Sequence, residues 1–323
     1  MFSRRDVLAG TGAILATGAN AQPAWPDRNV RLIIPFPPGG AADLIGRLLA
    51  AHLQGVLGRS VVVENRGGAG SSIGVDALAK ASDGVTIGMG NIAANAILPA
   101  LQRGRLPYDP VRDFAPVTNL AVTPCYLAVN PQKLPVTSVA ALVDHARQNP
   151  DKLNYSSSGV GSSLHLAMEL FCQKAGIRMT HVPFNGGSPA LQALLGGQVD
   201  LMIDTVATSW PQVREGRLRA LATTMPARMA IAPDLPALNE TYPGTDIAPW
   251  HGLLTPANTP PAVVERLFVE TTRFLAMPAT RERFDGAALE PAPSASPAAF
   301  TAFIQAEGQK FAAVITAANI RVE

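Results

Sequence analysis

Two short runs of this chain carry residues that could do chemistry. One is Phe36-Pro37-Pro38-Gly39-Gly40-Ala41-Ala42-Asp43. The other is Ser157-Ser158-Gly159-Val160-Gly161-Ser162-Ser163, with His165 three residues after Ser162. A serine beside a histidine suggests acyl transfer. However, no GxSxG elbow surrounds Ser162 or Ser163, a serine and histidine within one helical turn do not readily converge on one bond, and no third orienting residue is evident. His52, His145, His165, His181 and His251 are dispersed without HExxH or another ligating pattern, so no catalytic, metal or cofactor site is expected. What the two runs share is a strand that breaks at glycine and then enters a helix. Such a start exposes backbone N–H groups without partners at the positive end of the helix dipole, which is a ready site for an anion. Two of them in one chain point to a ligand held between them, and so to a binding protein.

The elements that must position these runs alternate along the chain. An apolar strand is expected over 30–34 before the first run and an amphipathic helix over 44–57 after it; a helix over 164–175 follows the second. Further strands are expected at 61–64, 85–89, 125–129, 179–183, 199–203 and 218–223. Further helices are expected at 72–81, 139–148, 189–195, 262–276, 279–288 and 297–318. Alternation of this kind predicts α/β layers around mostly parallel sheets, with ligands at the carboxyl ends of strands, where both glycine runs fall. The glycine-rich loop 67–74 lacks the spacing and lysine of a phosphate-binding loop and reads as a strand-to-helix turn.

At 323 residues the chain has room for two domains, and 47% hydrophobic against 15% charged residues makes it globular. A net charge of +2 with both signs scattered argues against nucleic acid as a partner. Cys125 and Cys172 form no CxxC; they are either free buried thiols, the plainer reading, or a pair in an oxidising compartment. Arg4-Arg5, a modest apolar segment over 7–19 and Ala19-Asn20-Ala21 read as an export signal over 1–21. Ser3-Arg4-Arg5-Asp6-Val7-Leu8 resembles a twin-arginine signal, although ordinary signals also carry such pairs. A mature chain outside the cytoplasm, in the periplasm, is expected.

Several segments together carry a resemblance to a known family. They include Pro35-Phe36-Pro37-Pro38-Gly39-Gly40 with Asp43, Val63-Glu64-Asn65-Arg66-Gly67-Gly68-Ala69-Gly70 and Leu106-Pro107-Tyr108-Asp109-Pro110. Leu153-Asn154-Tyr155-Ser156-Ser157-Ser158-Gly159, His181-Val182-Pro183-Phe184, Leu194-Leu195-Gly196-Gly197-Gln198-Val199-Asp200 and Trp250-His251-Gly252-Leu253 complete the series. In this order, from about Trp25 onward, the chain resembles the Bug-type extracytoplasmic solute receptors of the tripartite tricarboxylate transporter group. The resemblance implies a type II periplasmic-binding-protein-like fold of two α/β lobes with two chain crossovers. Lobe 1 is then expected over 22–124 plus 249–323 and lobe 2 over 125–248. It further implies closure on a small organic carboxylate, such as an amino acid, a hydroxy acid, an aromatic acid or an amide, and its delivery to a membrane permease of the same group; a monomer is expected.

The segments expected to line the cleft supply the candidate ligand-binding residues Phe36, Pro38, Gly39, Gly40, Ala41, Asp43, Asn91, Ser157, Ser158, Gly161, Ser162, Ser163, His165, Phe184, Asn185, Gly186, Asp204 and Thr205. Each also has a plainer role. Gly39 and Gly40 could simply allow a tight turn, Asp43 could cap the helix, the serines could be helix-entry residues, and His165 could be a buried hydrogen-bonding histidine. The Gly161 and Ser162 amides are expected to form the second jaw. None of the lining segments contains lysine or arginine, and Asn185 stands where many relatives have lysine. Backbone amides, hydroxyls and water would therefore hold the carboxylate, and a neutral or cationic far end suits amino acids, amides and hydroxy acids better than citrate. Delivery to a permease and signalling to a membrane partner use the same cleft, and the sequence does not separate them.

Overall fold

The computed structural model describes residues 25–321, so the expected export signal and its arginine pair lie outside the described residues. The chain runs through β1 (Val30–Ile34), α1 (Ala41–Leu57), β2 (Val61–Asn65), α2 (Ser72–Ala79), β3 (Thr86–Asn91), α3 (Leu98–Leu101) and β4 (Phe114–Val122). It continues with β5 (Cys125–Val129), α4 (Val139–Gln148), β6 (Asn154–Ser157), α5 (Ser163–Ala175), β7 (Thr180–Pro183), α6 (Gly187–Leu195), β8 (Leu201–Thr205), α7 (Val206–Arg214), β9 (Arg219–Thr223) and α8 (Leu238–Thr241). It ends with β10 (Trp250–Pro256), α9 (Pro261–Ala276), α10 (Pro278–Asp285), β11 (Glu290–Pro291) and α11 (Pro297–Ala317).

These strands form two sheets, ordered β11-β4-β10-β3-β1-β2 and β7-β6-β8-β5-β9. The chain passes from the first to the second between Val122 and Cys125 and returns between Thr223 and Trp250. The Thr123 amide donates to the Pro249 carbonyl at 2.8 Å and the Thr224 hydroxyl to the Ile247 carbonyl at 2.7 Å. The outgoing link is thus bonded directly to the returning one, and the return segment is also tied to the end of β9. Both sheets carry helices, which gives two α/β layers.

The expectation of mostly parallel sheets is corrected: only four of the nine strand pairings among the described residues are parallel. The exceptions involve the strands next to the crossings. β10 arrives from the second sheet and inserts antiparallel between β3 and β4, and β5 leaves the first sheet and inserts antiparallel between β8 and β9. The parallel pairs β1 with β2 and β3, and β6 with β7 and β8, keep their carboxyl ends together, and both glycine runs emerge at those ends.

The first run is braced from beneath by glycines that permit close approach. A Cβ on Gly74 would stand 2.6 Å from the Arg66 carbonyl oxygen and 2.7 Å from the Pro35 Cα, both backbone atoms that cannot swing aside. Gly74→Ala is therefore expected to destabilise the protein by about 1–3 kcal/mol through overpacking. A fall in the urea midpoint at unchanged m-value checks this; an unchanged midpoint would show that the β1–α1 turn yields freely.

Candidate functional site

The turn from β1 into α1 is held by buried polar contacts. Gly39 has φ +92°, a conformation open mainly to glycine, and its amide donates to Asp43 Oδ2 at 3.0 Å. Asp43 Oδ2 also accepts from Arg47 Nε at 2.9 Å, and its Oδ1 accepts from Asn65 Nδ2 at 2.9 Å. The same Asn65 amide group donates to the Phe36 carbonyl at 3.1 Å, tying the end of β2 to the turn. The hydrogen bond from Arg47, above all, holds the Asp43 carboxyl at about 2, against the opposing effect of burial. Asp43 is buried and spent on the turn and on Arg47, which makes it a positioning group that adds no free negative charge to the cleft. Asp43→Ala is expected to cost about 1–3 kcal/mol, since it leaves buried donors without acceptors. The wild-type contribution is complete above the unfolded pKa near 4 and is lost as pH falls toward 2. Urea titrations of both proteins at pH 7 and pH 2.5 check this, with the difference shrinking at the lower pH.

Gly40 differs from its neighbour. Its backbone is extended (φ −90°, ψ −179°), a conformation any residue adopts, and a Cβ there would meet nothing within 4 Å. The fold does not demand glycine at this position; glycine leaves the space in front of α1 open. Pro38, Gly39, Gly40 and Ala41 are exposed. The first amide to bond within the helix is that of Leu44, to the Gly40 carbonyl at 3.0 Å, so the Gly40 and Ala41 amides are left for a ligand or water.

The second run is more committed than its sequence suggests, and one expectation is corrected. The Gly161 amide donates to His165 Nδ1 at 3.0 Å and the Ser162 amide to the Gly159 carbonyl at 3.2 Å, so neither is open to a ligand. Ser162 is the N-cap of α5; its Oγ accepts from the His165 amide at 3.3 Å. At the start of α5 itself, the amides without an intrahelical acceptor are those of the first helical residues, Ser163 and Leu164. Ser157 is buried, with its Oγ 2.7 Å from His181 Nε2 and within 3.2 Å of the Gly159 amide, whereas Ser158 is half-buried.

His165 lies on a buried aromatic stack beneath this helix start. Its ring is 3.8 Å from that of His181 at an interplanar angle of 11°, and the His181 ring is 4.9 Å from that of Tyr155. Burial, with His181 adjacent, pushes the His165 pKa down to about 3, and burial pushes that of His181 down to about 4. Both are neutral at pH 7. With Nδ1 accepting from the Gly161 amide, His165 holds the turn.

The remaining candidates fall at strand ends. Gly186, at φ +115°, is the N-cap of α6, and Asn185 before it is exposed; the Phe184 amide bonds to the Ser157 carbonyl at 3.0 Å, joining this loop to the β6–α5 run. Asp204 is buried on β8, with Oδ1 accepting from the Thr205 amide at 2.8 Å and Oδ2 without a partner among the described residues; burial raises its pKa. Thr205 stands at the N-cap position of α7 without a side-chain capping bond, its hydroxyl 2.7 Å from that of Thr208.

Asn91 ends β3, its Oδ1 accepting from the Ala93 and Ala94 amides at 2.9 and 3.1 Å, while Nδ2 has no partner among the described residues. Directly opposite on β10 is His251, whose ring meets that of Phe36 edge-on at 5.6 Å and whose Nδ1 is likewise without a partner. His251 is not among the sequence-derived candidates; the Trp250-His251-Gly252-Leu253 segment is the one signal for it, and the residue pattern implies no strand at β10. Asn91 and His251 thus form a neutral polar pair beneath the first turn, with the Phe36 ring against His251. Burial pushes the His251 pKa down to about 4.

Comparison with known proteins agrees with this fold. Residues 45–320 match the tripartite tricarboxylate transporter family receptor, TctC. The chain is 34% identical over 315 residues to protein BugT of Bordetella pertussis, covering 96% of each protein. Among solved structures, a protein of R. palustris with adipate shares 36% identity at a TM-score of 0.75, with 92% of this chain and 99% of that one covered. MatC from Rhodopseudomonas palustris, with bound malate, shares 31% identity at a TM-score of 0.70, with 90% and 99% covered. This is a family of receptors rather than enzymes. The paired sheets, the two glycine turns at their carboxyl edges and the match along nearly the whole described chain lead to one conclusion: the chain belongs to the tripartite tricarboxylate transporter receptor family and is a solute-binding protein of the TctC/Bug type.

Proposed function

We propose that this receptor captures a small organic carboxylate between the starts of α1 and α5. Two lobes, residues 22–124 plus 249–323 and residues 125–248, rotate about the bonded crossing links and close on the ligand. The monomeric receptor, exported to the periplasm, then hands it to a tripartite tricarboxylate-type permease. The observation that carries the reading is the open start of α1, where the Gly40 and Ala41 amides have no intrahelical acceptor and the position of a Gly40 side chain is empty space. An anion at such a helix start gains about 0.3–1 kcal/mol, and up to ~2 kcal/mol when partly buried. The Ser163 and Leu164 amides offer the same device on the other lobe, and contact from both jaws at once favours the closed state.

The adipate and malate held by two relatives support a carboxylate as the ligand class. Within that class, the lining segments carry no lysine or arginine, and the nearby patch of Asn91 and His251 is neutral. One anchored carboxylate with a neutral or cationic hydrogen-bonding far end fits: an amino acid, an amide or a hydroxy acid. Denaturing the purified mature protein and weighing what is released, with thermal-shift titration across mono-, di- and tricarboxylates, tests this. A compound with one anchored carboxylate that raises the melting temperature most is the expected result. Citrate as the tightest ligand would contradict the charge argument, and no shift across the panel would contradict the carboxylate reading itself.

A further inference from the structure

A second cavity, of about 390 Å³, is lined by the first sheet, by α11 and by the returning link. Val122 of β4 and Glu290 of β11 come from the first sheet, Met225 from the segment after β9, and Ala248 from the link, while Asn119 and Phe303 complete the polar and apolar walls. A register shift of β4 against β10, where His251 pairs with Ala121 but Gly252 with Asn119, breaks the strand alternation and turns Asn119 and Val122 toward the same space. The volume falls within the range of small-molecule sites.

The charged groups of this cavity are unevenly satisfied. Arg228 is paired with both carboxylate oxygens of Glu240 at 2.8 and 2.9 Å. Asp246 and Glu307 share Lys310 at 3.4 and 2.8 Å. Glu290, half-buried, has neither an ion pair nor a hydrogen bond from its side chain among the described residues. Asn119 is 6% exposed, and its Oδ1 has no partner among the described residues. A buried acceptor and a carboxylate without partners, beside Val122, Met225 and Phe303, ask for a donor cation with an apolar body. Burial, with Asp285 nearby, pushes the Glu290 pKa up, as expected of a carboxylate that lacks its counter-charge.

We propose that this cavity is a second ligand site that takes a small apolar monoamine as its ammonium form, held by Glu290 and Asn119. Because its walls belong to the first sheet and to the returning link, whose Met225 packs into the core of the second sheet, an occupant changes the balance between open and closed receptor, and the two ligands affect each other's affinity reciprocally.

Calorimetric titration of the mature protein with phenethylamine, in the absence of any carboxylate, tests the site apart from the cleft. Saturable binding is expected, weakened at least about tenfold by Glu290→Gln and retained in the cleft variant Gly40→Val, with phenylacetate not binding at this site. Circular dichroism verifies that both variants are folded. No saturable binding up to millimolar amine, equal affinity in Glu290→Gln, or loss in Gly40→Val would overturn the site. Repeating the titration with the cleft saturated by the tightest carboxylate is expected to shift the phenethylamine Kd; an unchanged Kd would overturn the coupling to closure.

Discussion

Gly40→Val is expected to fold as stably as the parent and to bind carboxylate about 10–100-fold more weakly. Valine accepts the extended backbone that Gly40 already has, and its Cβ meets no protein atom within 4 Å; the poorer N-cap is offset by the lower entropy of the unfolded valine chain. The side chain instead occupies the space in front of the open α1 amides. A carboxylate kept away from that helix start forfeits its interaction with the dipole, about 1–2 kcal/mol in a partly buried setting, as well as the hydrogen bonds themselves. Isothermal titration of parent and variant with the same carboxylate, alongside their melting curves, reads both halves of the expectation. Equal affinities would place the ligand elsewhere. Gly39→Val makes the contrasting control: at φ +92° it is expected to lose stability as well as binding.

The second large effect is acid destabilisation of the lobe built on the second sheet. His165 and His181 titrate at about 3 and 4 in the folded protein and near 6.5 when unfolded. Between these values the unfolded chain binds more protons than the native one, so stability falls as pH drops from about 6.5 toward 4. Each pKa unit is worth about 1.4 kcal/mol, and the two rings together withdraw several kcal/mol over this range. Burial sets the direction for both rings, and the His181 ring stacked at 3.8 Å adds to it for His165. The expected measurement is a melting temperature that declines below pH 6.5, with the decline reduced in His181→Phe. A flat profile from pH 6.5 to 4 would mean that the stack is hydrated or already charged. Asp43 contributes only below this window, between pH 4 and 2, so the two effects separate on the pH axis.

Much of this architecture is legible in the residue order, for local reasons. β1, β5 and α4 have the expected bounds because apolar runs and helical periodicity are bracketed by proline, glycine or a serine cap, as at Ser138 ahead of α4. Helix α1 starts three residues earlier than its apolar period implies, because the N-cap is Gly40 and Ala41 to Asp43 already form the first turn. β4 and β10 escape such a reading because their stability is not local. Pro116 and Asn119 interrupt one and His251-Gly252 the other, and Gly252 is explained only by the Phe300 ring packed where its Cβ would be. The site divides in the same way. The open α1 start follows from residue order alone. The loss of the Gly161 and Ser162 amides to His165 and Gly159, the burial of Asp204 and the facing of Asn91 by His251 depend on contacts that no spacing encodes. The glycine runs identify the location of the site; which amides remain free is a property of the fold.

The most direct test of the central claim is a crystal structure of the mature protein with the tightest carboxylate of the panel. The account predicts one carboxylate group within hydrogen-bonding distance of the Gly40 and Ala41 amides on one side and of the Ser163 or Leu164 amide on the other, with no lysine or arginine side chain in contact. A carboxylate bound to one lobe only, or neutralised by a basic side chain, would contradict it.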